Sequence, residues 1–96
     1  MTTELSTVDA EAALRELFSE ILELPPQDIG TDDDFFHLGG HSQLAIRLAA
    51  RIRTRLGVKI SVPDVFAAPT VAELAVRAAQ APKAPAPLTR RVSREP

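Results

Sequence analysis

Apolar side chains in this 96-residue chain recur at the helical period in three stretches, and at the strand period in only one short one. Leu14, Leu17, Phe18, Ile21 and Leu22 make one face of a helix starting at about Asp9, with Glu11, Glu16, Glu20 and Glu23 on the other. Pro25-Pro26 ends it, because a residue before proline is driven out of the α region. A second helix is expected from about Ser42 to Leu56. Ala45, Leu48, Ala49, Ile52 and Leu56 share its core side, and Gly57 is its stop. Thr70-Val71-Ala72-Glu73 matches a capping box, with threonine and glutamate bonding reciprocally to the first free N–H groups. Val71, Leu74, Ala75 and Ala78 form the apolar side of the helix it opens. Val58–Val62 alternates but is too short to establish a strand, and Pro63-Asp64-Val65-Phe66 suits a brief helical turn. The expected fold is all-α: a small bundle of three main helices plus a short turn, with a long loop between the first two helices.

That loop, Pro25 to His41, is mostly polar. Ile29, Phe35, Phe36 and Leu38 are the exceptions and are expected to fasten it to the core. Loops this long are uncommon and often functional. Within it Asp32-Asp33-Asp34 reads as a turn cap or as simple solvation. Residues 1–8 read as a flexible leader, 9–80 as the folded domain and 81–96 as a Pro/Ala-rich linker or tail that cannot build a core. Charge follows the same division. Residues 1–34 hold ten acidic side chains and one basic one, Arg15, whereas residues 82–96 hold four basic and one acidic.

Composition removes several function classes. One small domain leaves no room for a large pocket on a catalytic frame. The chain has no cysteine, so disulfides and thiolate metal sites are excluded. His37 and His41, even with Asp32, Asp33 and Asp34 nearby, match no known ligand spacing. No apolar run is long enough to span a bilayer, and the N-terminus lacks a signal-peptide layout, so a cytoplasmic protein is expected. Arg47, Arg51 and Arg55 form a stripe that invites a nucleic-acid reading. An acidic body with Lys59 as its only lysine before the tail argues against it, and partners on a neighbouring helix are expected instead.

The chemistry concentrates in Phe35-Phe36-His37-Leu38-Gly39-Gly40-His41-Ser42-Gln43-Leu44. This stretch places a hydroxyl at a helix N-terminus, beside a glycine pair that permits close approach, where free N–H groups and the helix dipole favour a phosphate. A serine at a helix start is ordinarily an N-cap, but a capping box would need Glu or Gln where Ala45 stands. A serine hydrolase would need a second glycine at Leu44 and a strand before the serine. His41, adjacent in sequence to Ser42, is poorly placed as its base. Ser42 reads as a tethering point rather than a catalytic nucleophile.

The segment resembles the phosphopantetheine attachment motif of peptidyl carrier (thiolation) domains of non-ribosomal peptide synthetases. The resemblance continues in order through Arg51-Ile52-Arg53, Gly57-Val58, Val65-Phe66 and Pro69-Thr70-Val71-x-x-Leu74-Ala75, covering about Asp9 to Ala79. It implies a monomeric, non-catalytic domain. A phosphopantetheinyl transferase would modify Ser42 with 4'-phosphopantetheine from coenzyme A. Partners would be an adenylation domain and condensation, thioesterase or tailoring domains, and neither nucleic acid nor membrane. The tail composition would suit a domain cut from a longer synthetase. Two positions depart from the pattern: His37 stands where an acidic residue is usual, and Gln43 where an apolar one is common. Gly40, His41, Gln43, Ile46 and Ala50 are the expected partner-contact residues, because Ile46 and Ala50 fall on the edge that continues from Ser42. An acyl carrier protein of fatty-acid or polyketide type is the nearest alternative, although those typically read Asp-Ser-Leu at the site. A helical interaction module without modification is the alternative outside that chemistry.

Overall fold

The computed structural model describes residues 6–84, which form four helices: α1 (Thr7–Leu22), α2 (Ser42–Leu56), α3 (Val62–Ala67) and α4 (Val71–Gln80). Helix α1 starts two residues before the expected Asp9, because Ser6 caps it by accepting the Asp9 N–H at 3.1 Å. The leader boundary at residue 8 therefore falls inside the helix, and residues 1–5 lie outside the described chain. Its stop also differs from expectation. Glu23 adopts a left-handed conformation (φ 58°) and ends the helix ahead of the prolines. Pro26 instead opens a 3-10 turn over Pro26–Asp28.

Helix α2 has the expected bounds, with Gly57 in the left-handed region at its end. Helix α1 lies against both α2 and α4. Its Ala10, Leu14, Leu17 and Phe18 are fully buried, together with Leu48 and Ile52 of α2 and Val71, Leu74 and Ala75 of α4. Each large apolar side chain removed from water this way contributes about 1.5–3 kcal/mol before entropy is charged against it. The apolar sides expected for all three helices face the core, although Ile21 and Leu22 of α1 and Leu56 of α2 are only partly covered.

Helix directions follow from pairs of contacts. Arg51 meets Glu20 and Arg55 meets Glu16, so α1 and α2 are antiparallel. The start of α4 is bonded to the loop before α2, through Phe35 N–H to Pro69 O (2.8 Å) and Ala72 N–H to Thr31 O (3.0 Å). Its end returns to the end of α2, where the Ala84 N–H donates to Gly57 O at 2.9 Å. Helices α2 and α4 thus run the same way. Thr7 and Ala84 sit at one pole and Ser42 at the other, separated by the length of α2, about 20 Å.

No strand forms at Val58–Val62. Val58 and Ile60 are buried and Lys59 and Ser61 exposed, but among the described residues the pairing there is an isolated bridge between Val58 and Lys83. Ala81–Ala84, expected to belong to the linker, are tied to the body. Residues 85–96, the rest of the expected linker, lie outside the described chain. The cap of α4 is half of the expected box. Thr70 Oγ1 accepts the Glu73 N–H (3.1 Å), but the Glu73 carboxylate accepts the Thr70 hydroxyl (3.2 Å) rather than its backbone N–H.

Candidate functional site

The loop into α2 is fastened from within. Ile29 and Phe35 are buried, and the Phe35 ring meets Phe18 of α1 edge to face at 5.1 Å. Phe36 turns the other way and stacks on Phe66 of α3 at 4.9 Å. The acidic run is more than solvated charge. Asp33 Oδ2 accepts the Gly30 N–H (2.8 Å), and Asp34 Oδ1 accepts the N–H groups of Phe36 (2.7 Å) and His37 (3.3 Å). Backbone bonds from Leu38 to Asp34 (3.0 Å), Gly39 to Phe36 (3.2 Å) and Gly40 to Phe35 (3.0 Å) close successive turns up to the helix.

The two glycines do different work. Gly39 has φ +111°, a conformation that side chains with Cβ rarely adopt, yet a Cβ there would meet open space. Gly40 has an ordinary φ, but a Cβ would collide with the Phe35 ring and lie 2.7 Å from its carbonyl oxygen. One glycine makes the turn, and the other lets the chain cross the buried aromatic.

His41, extended at φ −149°, is the N-cap residue, and its carbonyl accepts the first intrahelical bond from Ala45 N–H at 2.8 Å. Its side chain makes no capping bond. Ser42 is thus the first helical residue rather than the cap, and its exposed side chain is not used to cap the helix. The N–H groups of Ser42, Gln43 and Leu44 precede the first intrahelical donor and lie at the positive end of the dipole. An exposed hydroxyl beside unbonded N–H donors and a positive helix end fits a phosphodiester-linked group.

The expected contact residues divide by position. Gln43, Ile46 and Ala50 are exposed on α2, with Ile46 56% accessible, and His41 is exposed just before it. Gly40 is half-buried over Phe35, so its first role is steric. Phe66, half exposed on α3, is a surface aromatic that periodicity assigned only to a turn. His37 is exposed too.

The arginine stripe is largely paired with α1. Arg51 bonds Glu20 at 2.6 Å and Arg55 bonds Glu16, a bond that with the Glu16 charge holds the Arg55 pKa above its ordinary value. These partners account for two of the three arginines on which a nucleic-acid reading would rest. Among the described residues, no cluster of three or more His, Asp and Glu side chains is placed to hold a metal ion. No helix there is long and apolar enough to cross a membrane.

A helical bundle that presents an exposed serine at the head of its second helix, after a loop anchored in the core, has the form of a carrier domain. Comparison with known proteins defines it further. Residues 12–77 match the family model described as the phosphopantetheine attachment site. A dimodular nonribosomal peptide synthase of Bacillus subtilis is 55% identical over 67 residues, covering 70% of this chain and 3% of the synthase. A solved non-ribosomal PCP domain is 45% identical with a TM-score of 0.63, covering 79% of this chain and 88% of that one. The McyG A-PCP structure, complexed with phenylalanyl-adenylate, is 34% identical with a TM-score of 0.68, covering 80% of this chain and 12% of that one. The chain belongs to the phosphopantetheine attachment family, whose members carry 4'-phosphopantetheine, and its relatives are peptidyl carrier domains of non-ribosomal peptide synthetases. It spans only 1–3% of the length of the curated synthetases it matches.

Proposed function

We propose that Ser42 is the attachment point for 4'-phosphopantetheine and that the chain is a non-catalytic peptidyl carrier in non-ribosomal peptide synthesis. The observation that carries this is the exposed Ser42 side chain at the first position of α2, outside the cap and beside the helix's free N–H groups. Once bound, the group supplies a terminal thiol on which aminoacyl and peptidyl groups are held as thioesters. Ser42 provides the oxygen of the phosphodiester link, and the positive end of α2 meets the phosphate charge. Phe35 is buried and Gly40 packs against it two residues before Ser42, which anchors the approach of the chain to the helix. The chain's lack of cysteine suits this role, because the working thiol comes with the cofactor.

The proposed partners are a phosphopantetheinyl transferase that modifies Ser42, an adenylation domain that charges the arm, and condensation, thioesterase or tailoring domains that take the cargo. A solved relative that contains an A-PCP pair supports the second of these. His41, Gln43, Ile46 and Ala50 form the proposed contact edge, with Gly40 behind it. The reading is of a monomeric, cytoplasmic domain whose modification draws on coenzyme A, with residues 85–96 as the linker to further domains.

Intact-protein mass after incubation with a broad-specificity phosphopantetheinyl transferase, magnesium and coenzyme A tests the assignment. The wild type should gain one phosphopantetheine, while folded Ser42→Ala should gain none at a stability within about 0.5 kcal/mol of wild type. No gain by folded wild type, with the transferase active on another carrier, refutes it. Ile46→Glu should slow charging by a cognate adenylation domain and leave the thermal midpoint nearly unchanged, since Ile46 is 56% exposed. A large fall in the midpoint would instead place Ile46 in the core.

A further inference from the structure

We propose that Ala81–Ala84 is a detachable strap that fixes where the chain leaves the domain and can peel away without unfolding it. The segment follows the end of α4 and lies back along the end of α2. Two backbone bonds hold it there: the Lys59 N–H donates to Pro82 O at 2.8 Å and the Ala84 N–H to Gly57 O at 2.9 Å. They frame the isolated antiparallel bridge between Val58 and Lys83. The side chains add little. Pro82 and Lys83 are exposed, Ala84 is half-buried, and only Ala81 packs against the core. Segments with few buried apolar contacts open at the low end of the local stability range.

What lies beneath the strap has core contacts of its own. Val58 and Ile60 are 6% and 2% exposed and belong to the central apolar cluster. Helix α3 follows with its own Ser61–Asp64 bonds. On this proposal the strap is an outer layer on the body, and its release costs its own contacts alone. Released, its four residues extend the downstream chain by about 13 Å. Docked, they set its exit at the pole opposite Ser42. On the carrier reading above, this provides a short tether in the docked state and a longer reach when a distant partner is engaged. The strap itself does not depend on that reading.

Native-state hydrogen exchange on the unmodified 96-residue chain tests it, so its outcome is separate from whether Ser42 accepts phosphopantetheine. The Lys59 and Ala84 amides should be protected at least about tenfold over free peptide and exchange at least about tenfold faster than Ile52 in the centre of α2. Ala84→Pro removes the N–H that Gly57 O accepts. It should abolish protection at Lys59 and leave Ile52 unchanged, whereas Lys83→Ala, which keeps both backbone bonds, should leave both amides as in wild type. No protection at Lys59 and Ala84 in wild type means that the strap is not docked. Protection equal to that of Ile52, or a loss at Ile52 in Ala84→Pro, means that it is an integral part of the body. Each of these results overturns the proposal.

Discussion

Two connections flank α2, and both are pinned by buried apolar side chains, but they differ in length and in what covers them. The incoming one, from Glu23 to His41, is long and mostly polar, yet it is pinned by Ile29 and Phe35 inside the core and by an edge-to-face contact with Phe18. The outgoing one, from Gly57 to Ser61, is short, buries Val58 and Ile60, and is covered on its outer side by a segment on two backbone bonds. Order in a loop therefore follows from what it buries rather than from its length. The pole that presents Ser42 carries a fully buried aromatic anchor, whereas Ala81–Ala84 at the opposite pole bury little side-chain surface.

The difference can be broken at its firmest point. Phe35→Ala should destabilise the domain by about 3–5 kcal/mol in urea denaturation, the cost of emptying a fully buried aromatic site. A loss below 1 kcal/mol would mean that the incoming loop is not anchored by this ring.

A milder change separates the two glycines. Gly40→Ala should cost about 1–3 kcal/mol, because its Cβ must displace the Phe35 ring or backbone. Gly39→Ala meets no atoms and should cost only backbone strain, about 1–2 kcal/mol. The two variants should differ further in structure: Gly40→Ala should shift Phe35 resonances in NMR spectra, and Gly39→Ala should leave them in place.

The smallest effect lies on the outgoing side and depends on pH. The Ser61 N–H and hydroxyl both donate to Asp64 Oδ2 at 2.9 Å, and Arg77 bonds its other oxygen at 2.8 Å. The backbone bond from Ser61, more than the Arg77 charge, holds the Asp64 pKa below its ordinary value, against a smaller opposing effect of burial. A carboxylate whose folded pKa is depressed contributes stability above its unfolded value, and that contribution fades as pH falls through the folded one. Wild type should therefore lose stability relative to Asp64→Asn between about pH 5 and pH 2 in paired denaturation curves, by a small amount because the group is largely solvated. Parallel curves for the two proteins would show that the Ser61–Asp64 bonds do not hold the start of α3.

Much of this was legible without coordinates. The buried faces of α2 and α4 are the ones periodicity named, and Ile29 and Phe35 anchor the loop as their isolation among polar residues implied. Ser42 stands at the head of α2 as expected, although as its first residue, with His41 at the cap. Boundaries were less legible, because they are settled by single hydrogen bonds. Ser6 extends α1, Glu23 ends it ahead of the prolines, and the Thr70 hydroxyl takes the glutamate that its N–H was expected to bind. The Phe36–Phe66 stack joins residues thirty positions apart on separate elements, which no local pattern reports.

The sequence by itself determined the helical class, the inward faces and the motif around Ser42, because each is written in residue types at local spacing. Only the tertiary structure decided which way α4 runs and why Gly40 must be glycine. It alone showed that Ala81–Ala84 return to Gly57 and Lys59. Those outcomes depend on atoms brought together from distant parts of the chain, and packing in three dimensions alone supplies that information.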